Sequence, residues 1–361
     1  MKIAQVSPLY ESVPPKLYGG TERVVSYLTE ALIKLGHEIT LFASGDSVTN
    51  ARLISHINKA LRLDAAVIDP LAHHIVQMQE VIERANEFDI IHFHTDYLHF
   101  PFSSTLSTPY ITTLHGRLDI PELKPIFKKF HYQPVVSISN HQRMPLPEAR
   151  WVDTVYHGLP KDLYKTIENK EDYVAFIGRI SKEKRPDRAI EIAEKAGMKI
   201  KIAAKIDKAD EYYFNKHIKH LFKKPFVEYV GEIGESTKNE FLGNAKALLF
   251  PIDWPEPFGM VMIETMACGT PVIAYPNGSV MEIIEPGKNG FIVSSIEEAV
   301  QALENIHLLD PSIIRKTFEE NFSSEIMARN YVKNYNLLIK KYSSLYFQHK
   351  NFRNINTKLT A

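Results

Sequence analysis

Apolar residues in this chain gather in short runs bounded by glycine- and proline-rich turns, and between those runs they recur at a helical period. Residues 3–6 read as a first strand. Residues 7–20 read as a loop, because they hold Pro8, Pro14, Pro15, Gly19 and Gly20. Thr21 is the expected N-cap of the next helix. Glu22 falls in its first turn, where a carboxylate suits the helix dipole. Val24, Val25, Leu28, Leu32 and Leu35 lie at helical spacing, and Gly36 closes the element. Residues 37–42 are the next strand. A strand, a glycine loop, a helix and a strand make the start of a doubly wound sheet. Residues 44–86 read as mostly helical. Further strands fall at 89–93, 110–114, 135–139 and 152–156. Ligands of such sheets gather at the carboxyl ends of strands, where Gly19, Gly20, Asp96 and His115 stand.

Residues 161–172 turn polar and charged, without periodicity, and are the expected linker. The pattern then restarts. Strands are expected at 173–177, 199–203, 227–230, 247–250, 271–275 and 291–293, with a helix at 189–196 ending at Gly197. The fold class is therefore α/β, with one doubly wound domain over 1–165 and a second over 166–325. The terminal segment 326–361 has Ile326, Tyr331, Tyr335, Leu338 and Tyr342 at roughly helical spacing and joins the first domain as a packed helix. No period of solenoid length is present.

One stretch stands out. The run Ala247-Leu248-Leu249-Phe250 leads into Pro251, Pro255 and Pro257, which forbid helix and ladder pairing through the turn. Gly259 then opens a helical pattern. Glu256 sits just before that helix and Glu264 lies inside it. Backbone N–H groups at the helix start have no partners within the helix and point into the loop. Such a place suits a polar, phosphorylated ligand.

Composition narrows the classes. Lys plus Arg equals Asp plus Glu at 43 each, so net charge carries no nucleic-acid signal. Cys268 is the only cysteine, which excludes an intrachain disulfide and a cysteine-based zinc site. The amino terminus lacks a signal-peptide core, and no apolar run approaches ~18 residues. A soluble cytoplasmic protein is the expectation. Residues 326–361 carry Arg329, Lys333, Lys340, Lys341, Lys350, Arg353 and Lys358 and no acid. These cations are dispersed, so a solvated face is favoured over peripheral contact with an anionic membrane. Lys124, Lys128 and Lys129 beside Phe127 and Phe130 read the same way.

The sequence has no G-x-x-x-x-G-K-[ST], no G-x-G-x-x-G and no Asp-x-Asp. Arg179 and Lys184, five apart on a loop after a strand, offer a metal-free way to offset a diphosphate, as a fork and a point charge. Gly19 and Gly20 let backbone approach a ligand at a helix start, or simply make a turn. His92 and His94 share a strand face, but with His99 they fit a buried strand and a loop better than a metal site. His115 stands at a strand end before Gly116, as a site residue or a core histidine. Glu264 lies among Met260, Val261, Met262, Ile263, Met266 and Ala267, and a buried carboxylate needs a partner.

Glu256-Pro257-Phe258-Gly259 followed by Glu264-Thr265-Met266-Ala267-Cys268-Gly269-Thr270-Pro271 resembles the signature of the retaining GT-B glycosyltransferases of family 4 (group 1). Glu256 and Glu264 match that family's E-x7-E, and Gly178-Arg179 with Lys184 match its phosphate loop. Tyr18-Gly19-Gly20-Thr21-Glu22-Arg23 and Thr113-Leu114-His115-Gly116 match its amino-terminal motifs. The runs 14–20 and 251–255 are similar to its avilamycin-type branch. The resemblance implies two Rossmann-like domains facing across a cleft and a metal-independent, retaining transfer of a sugar from a nucleotide-diphosphate sugar. It needs no cofactor beyond that donor substrate. Arg179 and Lys184 would stabilise the leaving diphosphate, Glu256 and His115 would contact the donor sugar, and Glu264 would bind the ribose. Phe258, Gly259, Met260 and Val261 would meet sugar and diphosphate at the helix start. Gly231, Glu232 and Ile233 would face the base. Gly19 and Gly20 would lie near phosphate and acceptor, with Thr21 and Asp96 on the acceptor side. The acceptor would be a sugar, a glycolipid or a small molecule. A nucleotide-sugar epimerase, a phosphorolytic enzyme or a non-catalytic sugar-nucleotide-binding protein would use the same scaffold. An epimerised sugar from donor incubated without acceptor would mark the enzyme rival, and binding without turnover over any acceptor panel would mark the non-catalytic one.

Overall fold

The structure, a computed structural model, describes residues 1–16 and 19–359, with side chains described as far as residue 344. Leu17 and Tyr18 of the amino-terminal motif lie outside the described residues, and Lys350, Arg353 and Lys358 lie beyond the described side chains. The chain forms two compact units. One takes Met1–Ile138, Leu146–Val155 and the chain from Met327 on; the other takes Ser139–Pro145 and Tyr156–Ile326.

In the first unit, β1 (Lys2–Val6), α1 (Gly20–Lys34), β2 (Glu38–Phe42), β3 (Arg52–Ile54), α2 (Pro70–Glu83), β4 (Ile90–Phe93), β5 (Tyr110–Thr113), α3 (Leu123–Lys129), β6 (Val135–Ser137) and β7 (Trp151–Thr154) follow one another. The strands form a parallel sheet in the order β3-β2-β1-β4-β5-β6-β7. β1, β2, β4, β5 and β6 are buried over almost their whole length, which is why they read as apolar runs. α1 buries Val24, Val25, Leu28 and Leu32.

The second unit runs through β8 (Tyr173–Arg179), α4 (Pro186–Lys195), β9 (Lys199–Lys205), β10 (Val227–Gly231), α5 (Glu235–Gly243), β11 (Leu248–Phe250), α6 (Met260–Ala267), β12 (Val272–Ala274), β13 (Gly290–Ile292), α7 (Ile296–Asn305), α8 (Pro311–Asn321) and the start of α9 (Ser324–Leu359). Its parallel sheet has the order β10-β9-β8-β11-β12-β13. Ranked within each unit, the strands run 3-2-1-4-5-6, with one more on the first. That is the Rossmann order, and it opens a crevice where the order reverses, between β1 and β4 and between β8 and β11. Among the described residues no helix is long and apolar enough to cross a membrane.

Four details differ from the sequence reading. Residues 44–86 hold one long helix, α2, and an edge strand, β3; the strand is three half-exposed residues and leaves no apolar run to see. Thr21 is not the N-cap. Gly19 is, at φ 153°, a conformation that favours glycine, so α1 begins two residues earlier and Thr21 lies in its first turn. A Cβ at Gly19 would stand 2.8 Å from Cβ of Pro15. Arg179 ends β8 in register with Lys205, and so belongs to the strand and not to the loop beyond it. Lastly, the chain changes unit between Val155 and Tyr156, ahead of the expected 165/166. The reason is backbone pairing. Leu159 N–H donates to Phe322 O at 2.9 Å and Ser324 N–H donates to Leu159 O at 2.8 Å, so this segment already belongs to the second unit.

Candidate active site

In the second unit two loops meet at the switch point between β8 and β11. The first, after Arg179, turns back on itself as Lys184 N–H and Arg185 N–H both donate to Ser181 O. The second, residues 251–259, is neither helix nor strand, as its three prolines require. The loops are laced together. Asp253 N–H donates to Glu183 O at 2.8 Å, Arg188 donates to Pro251 O at 3.0 Å, and Arg185 donates to Asp253 at 3.0 Å.

This lacing brings Lys184 and Glu256 together as a mostly buried, hydrogen-bonded ion pair. The indole N–H of Trp254 donates to the same Glu256 oxygen at 3.2 Å, and the Lys184 ammonium lies 5.0 Å from the Trp254 ring centroid and 5.6 Å from that of Phe250. The ammonium is thus framed by one carboxylate and two aromatic rings. Arg179 is nearby in sequence but differently engaged. Its guanidinium donates to Glu183 and to Asp210, each at 3.2 Å.

Glu256 is held by a turn that follows β12. Gly278 has φ 64°, and a Cβ there would lie 2.2 Å from Glu256 O and 2.3 Å from Glu256 N. Ser279 N–H donates to Glu256 O at 2.9 Å, Ser279 Oγ donates to Phe258 O at 2.7 Å, and Asn277 Nδ2 donates to Ile252 O at 2.8 Å. Gly259 caps α6 at φ 75°, and Met260 and Val261 stand half-exposed in the first turn, with Phe258 buried behind them. Glu264 is buried in the middle of α6 and its Oε1 accepts from Lys238 Nζ of α5 at 2.7 Å. Gly231, at φ 78°, ends β10, and Glu232 and Ile233 follow on the open loop into α5.

Sequence reasoning named Lys184, Glu256 and Glu264 and missed Trp254, Lys238 and the Asn277-Gly278-Ser279 turn. The turn left a signal. Asn-Gly is a turn dipeptide, and here it follows the strand next to the one that leads into Glu256.

The first unit's crevice gathers histidines, hydroxyls and an amide. His92 and His94 share one face of β4, with ring centroids 4.0 Å apart. His115 pairs through Nε2 with His94 Nδ1 at 2.9 Å, and His94 Nε2 meets Gln5 Oε1 at 2.7 Å. Gln5 Nε2 donates to Tyr335 OH at 3.2 Å, whose oxygen stands 2.7 Å from His92 Nδ1. His92 Nε2 lies 2.7 Å from Thr113 Oγ1, and that hydroxyl 2.8 Å from Tyr331 OH. An amide oxygen can only accept, so His94 donates to Gln5 through Nε2 and, as a neutral ring, accepts from His115 at Nδ1, while Gln5 donates onward to Tyr335. β1, β4, β5 and α9 all contribute.

Desolvation disfavours the charged imidazole here. It pushes His115 and His99 down to about 3, and His92 well below the ordinary imidazole value, with the nearby His115 adding to the last. His99 lies apart, stacked on Phe93 at 3.8 Å and bonded to Thr112. The carboxyl of Asp96 is pushed up to about 6 by the protein mass around it, and the His115 backbone N–H pulls the other way. Because Asp96 is open to solvent, water moderates that shift. Its φ of 48° is left-handed. Gly19 and Gly20 begin α1, where Glu22 is buried and raised to about 7. Desolvation is the chief cause, the backbone N–H of Glu22 itself opposes it, and repulsion from Glu11 adds to it.

Two sheets of Rossmann order, each with its functional candidates at the carboxyl ends of its strands, define a two-domain Rossmann-like protein. The family model described as "Glycosyltransferase Family 4" matches residues 18–159, and the one described as "Glycosyl transferases group 1" matches residues 164–325. The chain belongs to the group 1 glycosyltransferases and has their GT-B fold. An uncharacterized glycosyltransferase of Methanocaldococcus jannaschii is 26% identical over 344 residues, covering 81% of this chain and 85% of that protein. AviGT4, a glycosyltransferase involved in avilamycin A biosynthesis, superposes with a TM-score of 0.74 at 23% identity, covering 94% of this chain and 98% of its own. HepE of Anabaena, in complex with UDP-glucose, does so with a TM-score of 0.68 at 18% identity, covering 94% of this chain and 100% of its own.

Proposed function

We propose that this glycosyltransferase moves a sugar from a nucleotide-diphosphate sugar to an acceptor hydroxyl, with retention and without a metal ion. The observation that carries this reading is the Lys184–Glu256 pair beside the amino end of α6, with Glu264 inside the same helix. A cation, a helix start and two buried carboxylates suit a ligand that is anionic at one end and rich in hydroxyls along its length. The UDP-glucose complex of HepE, a protein of the same fold, supports a nucleotide-sugar as that ligand.

In this reading the donor diphosphate takes Lys184 from Glu256 and draws Arg179 from Glu183 or Asp210. Glu256 is then released to accept from a sugar hydroxyl. Glu264 accepts from the ribose hydroxyls, and Gly231, Glu232 and Ile233 face the base. Phe258, Gly259, Met260 and Val261 border the sugar and diphosphate. The reading also assigns Gly19, Gly20 and His115 to the donor, and Thr21 and Asp96 to the acceptor. The bond from the sugar's anomeric carbon to the β-phosphate oxygen breaks, and the acceptor oxygen bonds to that carbon on the same face. The acceptor's proton passes to the departing phosphate. Charge builds on that phosphate, so Lys184 and Arg179 act most strongly in the transition state.

Lys184→Ala should lower kcat by about 100-fold or more, in line with loss of one charge-stabilising donor, while far-ultraviolet circular dichroism stays unchanged. Turnover of a nucleotide-sugar panel should survive EDTA, and the product's anomeric configuration, read by NMR, should match the donor's. Inversion, loss of activity in EDTA, or unimpaired turnover by Lys184→Ala each defeats the corresponding part of the reading.

A further inference from the structure

Lys238 lies outside every motif in the sequence, yet it touches the most deeply buried carboxylate of the site. Its Nζ stands 2.7 Å from Glu264 Oε1 and 3.9 Å from Glu235 Oε2, and the lysine and Glu264 side chains are only 15% and 5% accessible. Glu235 is fixed in turn by a hydrogen bond from the Tyr164 hydroxyl. Lys238 sits on α5, which begins directly after the loop of Gly231, Glu232 and Ile233. One ammonium thus ties the helix that follows that loop to the helix that carries Glu264.

We propose that Lys238 is the positioning residue that makes Glu264 specific for a ribose 2′,3′-diol. By occupying Oε1 it holds the carboxylate in one rotamer, and it leaves Oε2 as the oxygen presented to two vicinal hydroxyls. A carboxylate free to rotate would lose that alignment, and a buried one without its cation would be costly to keep. The second carboxylate, Glu235, also lies within 3.9 Å of the ammonium, so the lysine keeps an anionic neighbour when the diol arrives. This rests on the reading of Glu264 as the ribose-binding group.

The test is calorimetric binding of UDP, ADP and GDP and of their 2′-deoxy counterparts to the full chain. The native protein should prefer the ribose form of its best diphosphate. Lys238→Met, or Lys238→Gln should the first not fold, should weaken that ribose diphosphate by about tenfold, the loss of one charged hydrogen bond's alignment, and the 2′-deoxy form by less than about twofold. Lys238→Arg should restore the preference, because it keeps a cation at the same reach. A purely structural lysine would weaken both forms alike, and that result overturns the proposal. Glu264→Gln separates the two ideas. If it abolishes the ribose preference and Lys238→Met does not, the lysine proposal alone is wrong; if it leaves the preference intact, the ribose reading of Glu264 is wrong. Binding of none of the three diphosphates removes both.

Discussion

The two crevices have the same strand order and opposite electrostatics. In the first unit's crevice burial works against charge: it moves the histidines downward and the carboxyls of Glu22 and Asp96 upward. In the second, charges are kept and matched, Lys184 with Glu256, Lys238 with Glu264, Arg179 with Glu183 and Asp210. A Rossmann sheet therefore supplies a place and says nothing about its charge. The difference comes from what the strand ends carry. β4 and β5 end in imidazoles and hydroxyls that join a line of hydrogen bonds through Gln5 of β1 and two tyrosines of α9. β8 and β11 end in loops of opposite charge that can be satisfied only by each other or by an ionic ligand.

The strongest way to break this comparison is to dismantle the charged crevice without touching a charge. Gly278→Ala puts a methyl group into the backbone of Glu256, at a left-handed φ. It should cost about 3 kcal/mol or more, the sum of overpacking and backbone strain, and should lower Tm and activity together. An unchanged Tm would mean that the turn is not what holds Glu256.

Tyr335→Phe attacks the first unit's crevice. It removes the hydroxyl that stands between Gln5 and His92 and leaves both buried groups short of a partner. We expect a loss of about 1–3 kcal/mol in chemical denaturation, with binding of diphosphates by the second unit unchanged. A parallel loss of diphosphate binding would show that the two crevices are not energetically separate.

The smallest expected effects are in pH dependence, and they carry opposite signs within the first unit. The histidines have folded values below their unfolded value near 6.5, so their contribution is present above 6.5 and is lost as pH falls toward about 3. Glu22 has a folded value raised from 4.5 to about 7, so its contribution is present below 4.5 and is lost as pH rises through 7. Glu22→Gln should therefore gain about 1–2 kcal/mol at pH 8 and little at pH 4, a discount on the full shift for the hydrogen bonds the carboxyl keeps. A gain of equal size at both pH values would sink the account of Glu22.

Much of the architecture was legible in the sequence because parallel strands buried on both faces are mostly apolar, as β11 is throughout and as β1 and β8 are over most of their buried length. β3 was not, since a three-residue edge strand with half-exposed side chains has no such signature. The same split holds for the site. Glu256 and Glu264 could be placed because a proline turn, a glycine cap and a helix are all local. Their cations could not be assigned. Lys184 reaches Glu256 across 72 positions through two interlaced loops, and Lys238 reaches Glu264 across 26 from a helix with no strong apolar stripe. His115 was identified at its strand end, but its line of partners back to Tyr331 depends on a helix at the far end of the chain.

That last dependence has a consequence for how the protein is made. Thr113 meets Tyr331 across 218 positions, and His92 meets Tyr335 across 243. On the ribosome, the first sheet emerges complete while both tyrosines are still unsynthesised. Its central imidazoles must wait in water, or in a loose intermediate, until the final helix arrives to close the line. The first unit is thus finished last, after all the residues of the second have been made. A chain released at Ile326 should give a first unit that exchanges its β4 and β5 amides quickly while the second unit stays protected. Equal protection in both would mean that the sheet needs no such closing strut.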